Sequence, residues 1–398
     1  MELYIQMGHG MQSMSKDLLS DWGSSTVILS PLNISPKSLS KFSTEINEKN
    51  GKILFDPQLY YPEKNHKNLT KYNYWSKKNI TDIKNENYDF PISELANLNI
   101  KIRATAFVLP SLVTQEINHQ WEAMQQKIID TAQKYAFGMD LIHTIALGGN
   151  VLSDSLKVEA IIQCAEQWDV HGVYIVCEHP EQSYLVDNPL WISNLLALTT
   201  GIKRQRKKVI VGYANHQMLC LSLSKCDAIA SGNFLNVRWF RPDRFKDSED
   251  DEVSRRSTWY YFPQALSEYK VTFLDIAQRM DILNAMAPPS SMTNPYCEML
   301  FSGGVPSSTG YKEGEAQRHY LHCLQQQCLA ATKKTYAETR DFYLSLLETA
   351  EQILRGLRKR SISGQDRDFS EILDVNRAAV AAHDKDFFFP LSNEWDTL

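Results

Sequence analysis

Asp56 closes an apolar run, Lys52–Tyr61, that reads KILFDPQLYY. A carboxylate directly after Ile53-Leu54-Phe55 is costly to bury unless it is paired. Asp56 is therefore expected either as a general acid/base or ligand-orienting group or as the cap of a turn ahead of Pro57. Gln58 and Tyr60 follow within reach of the same site. Other runs end in the same way, with Ser30 and Asn33, Ser111, Gly148-Gly149-Asn150, Glu178-His179, Asn215-His216, and Ser231 and Asn233. Gly148-Gly149 allows close backbone approach, and its N–H groups can donate to a carbonyl or phosphate. Glu178-His179 reads as an acid/base pair or as a salt bridge between loops. Asn215 reads as a ligand contact or as a helix N-cap. If the ligand is a nucleobase, nucleoside or nucleic-acid end, Asn233 and Arg238 would meet phosphate or sugar.

A second chemistry lies in YYPEKNHKNLTKYNYWSKKN. Lys64, Lys67, Lys71, Lys77 and Lys78 interleave with tyrosines and Trp75. Lysines grip phosphates and aromatic rings stack on bases, so a single-stranded nucleic acid could lie there; a solvated loop is the alternative. No metal site is expected. His319, His322 and Cys323 share a helix face, but no fourth ligand has suitable spacing. No Walker loop, HExxH pair or serine elbow occurs, and no cofactor is expected.

The elements that must position these groups are short β-branched runs alternating with helical segments. The runs are Thr26–Asn33, Lys52–Tyr61, Ile102–Ser111, His143–Asn150, Gly172–His179, Lys208–His216 and Cys226–Phe234. They are apolar almost throughout, as parallel strands covered on both faces require. An eighth strand is expected at Val271–Ile276, completing a TIM (β/α)8 barrel with active groups at the strand ends. A doubly wound sheet is the alternative, weakened by the lack of a GxGxxG turn. The barrel is expected over 1–300, with insertions at 61–90 after the second predicted strand and 235–265 after the seventh. Residues 311–398 read as a C-terminal helical extension whose aromatic tail, DKDFFFPLSNEWDTL, docks on the barrel or on a partner.

Among 398 residues, 43% are hydrophobic and 22% charged, which excludes a disordered or fibrous chain. Forty-two Lys+Arg against 47 Asp+Glu give a net charge of −5, so a nucleic-acid partner must meet a local basic face. The seven cysteines form no paired framework, and no stretch has the roughly 18–20 apolar residues of a membrane span. A cytoplasmic, soluble protein without a signal peptide is expected, and the three N-glycosylation sequons read as chance.

The stretches LFDPQLY, TIALGGN, HGVYIVCEH and VIVGYANHQMLCLSLSKCDAIASGNFLNVRWF resemble, in order and spacing, the tRNA-guanine transglycosylase superfamily, including relatives that insert 7-deazaguanine bases into DNA. The resemblance implies a TIM barrel acting on a nucleobase in tRNA or single-stranded DNA. It implies that Asp56 contacts the base or transfers a proton and that Gly148 and Gly149 hold the base's polar edge. With the DNA-modifying relatives it implies a place in bacterial DNA modification or anti-phage defence. Two departures matter. The nucleophile position falls on Ala230, with Asp227 three residues early, and the family's Cys-x-Cys-x-x-Cys zinc cluster is missing. Three readings follow: an enzyme of the base-exchange type, a non-catalytic barrel working as scaffold or sensor with protein partners or its own copies through the C-terminal helices, and an unrelated flavin or sugar-phosphate barrel.

Overall fold

The computed structural model describes residues 1–62, 66–75, 83, 87–245 and 257–398. Its parallel strands are β1 (Glu2–Gln6), β2 (Thr26–Leu29), β3 (Lys52–Phe55), β4 (Phe107–Val108), β5 (Leu141–Leu147), β6 (Gly172–Cys177), β7 (Lys208–Val211) and β8 (Ala228–Ser231). They form one sheet in the order β3-β2-β1-β8-β7-β6-β5-β4. Its two ends meet where the Thr105 N–H donates to the Ile53 carbonyl at 2.8 Å. The sheet thus nearly closes, and the fold is a TIM (β/α)8 barrel.

Helices α1 (Gln12–Trp22), α2 (Pro36–Glu48), α3 (Asp89–Ile102), α4 (His119–Tyr135), α5 (Ser155–Gln167) and α6 (Pro189–Arg204) make the crossovers. Polar caps start several of them. Ser35, Asn118, Asp154 and Asn188 each accept a backbone N–H from the first turn, and prolines follow Ser35 and Asn188 directly. Between β7 and β8 the crossover is a 3₁₀ run, His216–Ser224, buried along its length.

The strand count matches expectation, but one strand lies elsewhere. Val271–Ile276 is helical, within α7 (Val271–Arg279). It follows an antiparallel hairpin of β9 (Trp259–Phe262) and β10 (Ser267–Lys270). The eighth barrel strand is instead β1, which pairs with both β2 and β8.

The helices α8 (Glu313–Ala331), α9 (Tyr336–Arg358) and α10 (Leu373–Glu394) pack on the barrel. Both α8 and α9 cover the 3₁₀ run, α8 also meets β1, and α10 lies along α6. The extension thus supplies the outer layer that the short β7–β8 crossover leaves open, and one apolar core runs through both parts. The aromatic tail docks on its own chain through Trp395, with Phe387 and Phe388 partly buried, while Phe389 is 76% exposed. Trp395 is buried, its indole N–H donates to the Lys333 carbonyl at 3.1 Å, and Lys225 lies over its ring. No described helix is long and apolar enough to cross a membrane.

Strand alternation decides which side chains face the barrel axis. Tyr4, Ile28, Leu54, Ile142, Tyr174, Ile210 and Ala228 form an inner cluster, whereas Leu3, Val27, Ile53, Val173 and Val209 belong to the outer core. Asp56 has the parity of Leu54.

Candidate functional site

Asp56 lies inside the barrel at its C-terminal end, 1% exposed. Its carboxylate accepts the Gln58 N–H at 3.0 Å, an Asx turn around Pro57. Both readings of Asp56 meet here, because the turn cap is also the centre of a polar knot. The Tyr60 hydroxyl donates at 2.9 Å, that of Tyr213 at 3.1 Å and that of Tyr174 sits at 3.5 Å. Tyr213 in turn accepts the Gln58 amide N–H at 2.9 Å, and Gln58 accepts Ser30 Oγ at 3.1 Å. Asn33 donates to Ser30 at 3.0 Å. Ser30, Asn33, Asp56, Gln58 and Tyr60 therefore share one hydrogen-bonded network. Gln6, at the end of β1, joins it by accepting the Tyr174 hydroxyl at 3.0 Å. Burial pushes the Asp56 pKa up to about 6, against the opposing pull of the Gln58 N–H and the tyrosine hydroxyls.

The knot is sealed. Phe240 and Phe245, from the segment after β8, are fully buried over it. Their ring centroids stand 5.0 and 4.8 Å from that of Tyr60, and Phe240 is 5.3 Å from Tyr213. Ala230 is buried opposite Tyr4 in the β1–β8 register. Asp227 precedes β8 and is tied to Lys203 at 2.8 Å and to the Val209 N–H at 2.7 Å, so it holds the other end of the strand.

The remaining expected residues separate. The Gly148 N–H donates to Thr114 O at 2.8 Å and the Gly149 N–H to Glu178 Oε2 at 2.9 Å, so both amides are engaged within the chain. Glu178 and His179 part company. His179 lies among Trp191 and Trp239 with its Nδ1 3.0 Å from Ser183 O, and burial lowers its pKa to about 4. Asn150 is exposed and Ser231 buried. Asn215 caps the 3₁₀ run by accepting the Gln217 N–H at 2.8 Å. Trp75 is 0% exposed and packs on Tyr74, so its ring faces the core, while Lys67 and Lys71 are exposed. Lys64, Lys77 and Lys78 lie outside the described residues. His319 hydrogen-bonds Tyr261 O at 2.8 Å and stacks on Tyr260. Among the described residues no three His, Cys, Asp or Glu side chains could hold a metal.

Arg238 and Asn233 lead to a second, open region. A cleft of about 560 Å³ lies between the segment after β8, the β9–β10 hairpin and the start of α8. Arg238, 4% exposed, donates to Gly232 O at 2.9 Å, Asn233 O at 2.8 Å and Glu268 Oε2 at 3.2 Å, and covers the Tyr320 ring at 3.5 Å. Arg367 reaches the same Glu268 oxygen at 3.0 Å and lies 3.8 Å over Trp259. Burial alone would raise the Glu268 pKa, but Arg367, Arg238 and His216 outweigh it and hold the group at about 2. Sequence reasoning found Arg238 and Asn233 but not Glu268, Trp259, Arg367 or Lys270. The available signal was the mixture of aromatics and charges in RWFRPDRF and TWYYF.

Comparison with protein-family models, curated proteins and solved structures gives no match.

Proposed function

We propose that this chain is a transglycosylase-like barrel that recognises a nucleobase-bearing ligand, single-stranded DNA or tRNA, without exchanging its base. Its role is that of a scaffold or sensor subunit in a cytoplasmic DNA-modification or anti-phage assembly. The observation that carries this reading is the sealed mouth. Asp56 is saturated by its own chain, Phe240 and Phe245 fill the space a base would need, and the nucleophile position is Ala230. Double displacement at a ribose needs a carboxylate beside C1′, and the inward end of β8 has none. Seven unbridged cysteines, six of them buried, suit a reducing compartment.

Two measurements on the purified protein test it together: incorporation of labelled guanine into tRNA or single-stranded DNA, and binding of the same nucleic acids by mobility shift. Binding without incorporation is expected. Incorporation that Asp56→Asn abolishes at unchanged melting temperature overturns the reading.

A second reading, the base-exchange enzyme, is favoured by one observation. A carboxyl pushed up to about 6 and ringed by tyrosines has the proton affinity of a general acid near neutrality. It requires Phe240 and Phe245 to leave the mouth when substrate arrives, and the same incorporation assay decides it.

A further inference from the structure

The cleft beside Arg238 shares no side chain with the Asp56 knot, and its chemistry is that of a ligand site. We infer that it binds a nucleoside phosphate, the base against the indoles of Trp239 and Trp259 and the phosphate on Arg241, Lys270 and Arg367. The inference takes its ligand class from the recognition reading above, but the site stands on the cleft alone.

The volume of about 560 Å³ falls within the roughly 300–1,000 Å³ of small-molecule sites. Four cations and two carboxylates line it, in a chain whose net charge is −5. The cations are not equivalent. Arg238 has each of its three nitrogens bonded within the chain and serves to build the wall. Arg241 and Arg367 each keep a buried Nε with no hydrogen-bond partner. A buried N–H left unmade costs about 1–3 kcal/mol, and an anion in the cleft would supply what is missing. Lys270, 5.3 Å over Trp259, has no carboxylate partner among the described residues.

The aromatic half decides against a bare anion. Trp239 and Trp259 both line the cleft, and guanidinium or ammonium groups stand over each, Arg241 at 5.2 Å from Trp239 and Arg367 at 3.8 Å from Trp259. Indole faces beside cations match a ligand that carries a planar base and a phosphate together. A phosphorylated nucleic-acid end and a free nucleotide present this same chemistry.

The test uses the full chain, with tryptophan fluorescence and titration calorimetry. The probes are the four common 5′-mononucleotides, inorganic phosphate, and a short single-stranded oligonucleotide with and without a 5′-phosphate. At least one mononucleotide is expected to saturate the protein and to bind more tightly than phosphate. Arg241→Gln and Lys270→Gln, both at partly exposed side chains, are each expected to weaken it about tenfold at unchanged melting temperature. A phosphorylated oligonucleotide that binds more tightly than any mononucleotide identifies the ligand as a nucleic-acid end; the reverse order identifies a free nucleotide. Absence of saturable mononucleotide binding, indifference to both substitutions, or phosphate binding as tightly as the best mononucleotide overturns the inference. A protein that binds no tRNA or single strand, yet holds a mononucleotide in an Arg241-sensitive way, overturns the recognition reading and leaves this one standing.

Discussion

Asp56 and Glu268 are both buried carboxylates, yet the chain treats them in opposite ways. Asp56 has hydroxyls and one backbone N–H around it and an aromatic lid above. Glu268 has two guanidiniums and the Tyr184 hydroxyl at 3.0 Å, and it borders an open cleft. Neutral donors only partly replace water around a charge, so the first pKa rises to about 6, whereas cations more than replace it, so the second falls to about 2. At the mouth the Asp56 carboxylate is satisfied by its own chain and closed over, leaving Gln6 Nε2 as a buried donor without a partner, whereas the rim keeps cationic groups and space together.

The largest effect expected from this comparison is at Glu268. Glu268→Gln leaves Arg238 and Arg367, with side chains 5% and 13% exposed, facing each other without a counter-charge. Breaking a buried pair in this way costs about 3–5 kcal/mol, to be read as a fall in unfolding free energy in urea at pH 7. A loss under about 1 kcal/mol would mean that the arginines are solvated in practice, and the contrast with Asp56 would dissolve. The pH dependence sharpens it. Because the folded pKa of Glu268 lies below its unfolded value, its stabilisation is full above about pH 4.5 and is lost as pH falls toward 2.

Asp56 has the opposite sign. Its folded pKa lies above the unfolded one, so between about pH 4 and 6 the folded state holds the proton that the unfolded state has released. Stability therefore drops as pH rises through that window. The gap between 3.8 and about 6 corresponds to about 3 kcal/mol. In Asp56→Asn this drop is expected to vanish. The difference in unfolding free energy between parent and variant, followed by urea titration from pH 4 to 7.5, should decline by that amount and then level off. A difference that rises with pH would place a cation near Asp56 and remove the contrast between the two sites.

Much of the mouth was legible in the sequence because strand alternation is a local property. Leu54 and Asp56 share parity, so an inward leucine entails an inward aspartate, and Ser30, Gln58 and Tyr60 follow from neighbouring strand ends. The misplacement of the eighth strand has a local cause as well. VTFLDI carries β-branched and apolar residues in a strand-like run, but it follows directly on β10, whose pairing with β9 ends at Lys270, and the chain there turns into α7. Glu2–Gln6 reads ELYIQ, with a polar residue at each end, and lacks the longer β-branched run that marked the other strands. The lid was not legible. Phe240 lies 184 residues from Asp56 along the chain, and nothing in RWFRPDRF says that its phenylalanines cap a barrel. Nor was the Arg238–Glu268–Arg367 cluster, which joins three distant segments. Trp75 shows the converse error, since an aromatic amid lysines resembles a stacking platform until packing on Tyr74 takes it inward.

The smallest expected effect probes the hydroxyl cage directly. Tyr60 donates to Asp56 at 2.9–3.0 Å, and its ring packs against Phe240 and Phe245. Tyr60→Phe thus removes one hydrogen bond and keeps the lid. A bond to a charged acceptor is worth about 1.5–3 kcal/mol and a neutral one about 0.5–1.5 kcal/mol. The cost should therefore depend on the protonation state of Asp56. Since the hydroxyl lowers the Asp56 pKa, its loss raises that value further and widens the window in which stability falls. The variant should lose about 2 kcal/mol at pH 8 and about 1 kcal/mol at pH 4.5, measured by urea unfolding. Equal costs at both values would mean that the carboxyl is already protonated at pH 8, which would make the barrel mouth a neutral network and Glu268 the one buried charge of the pair.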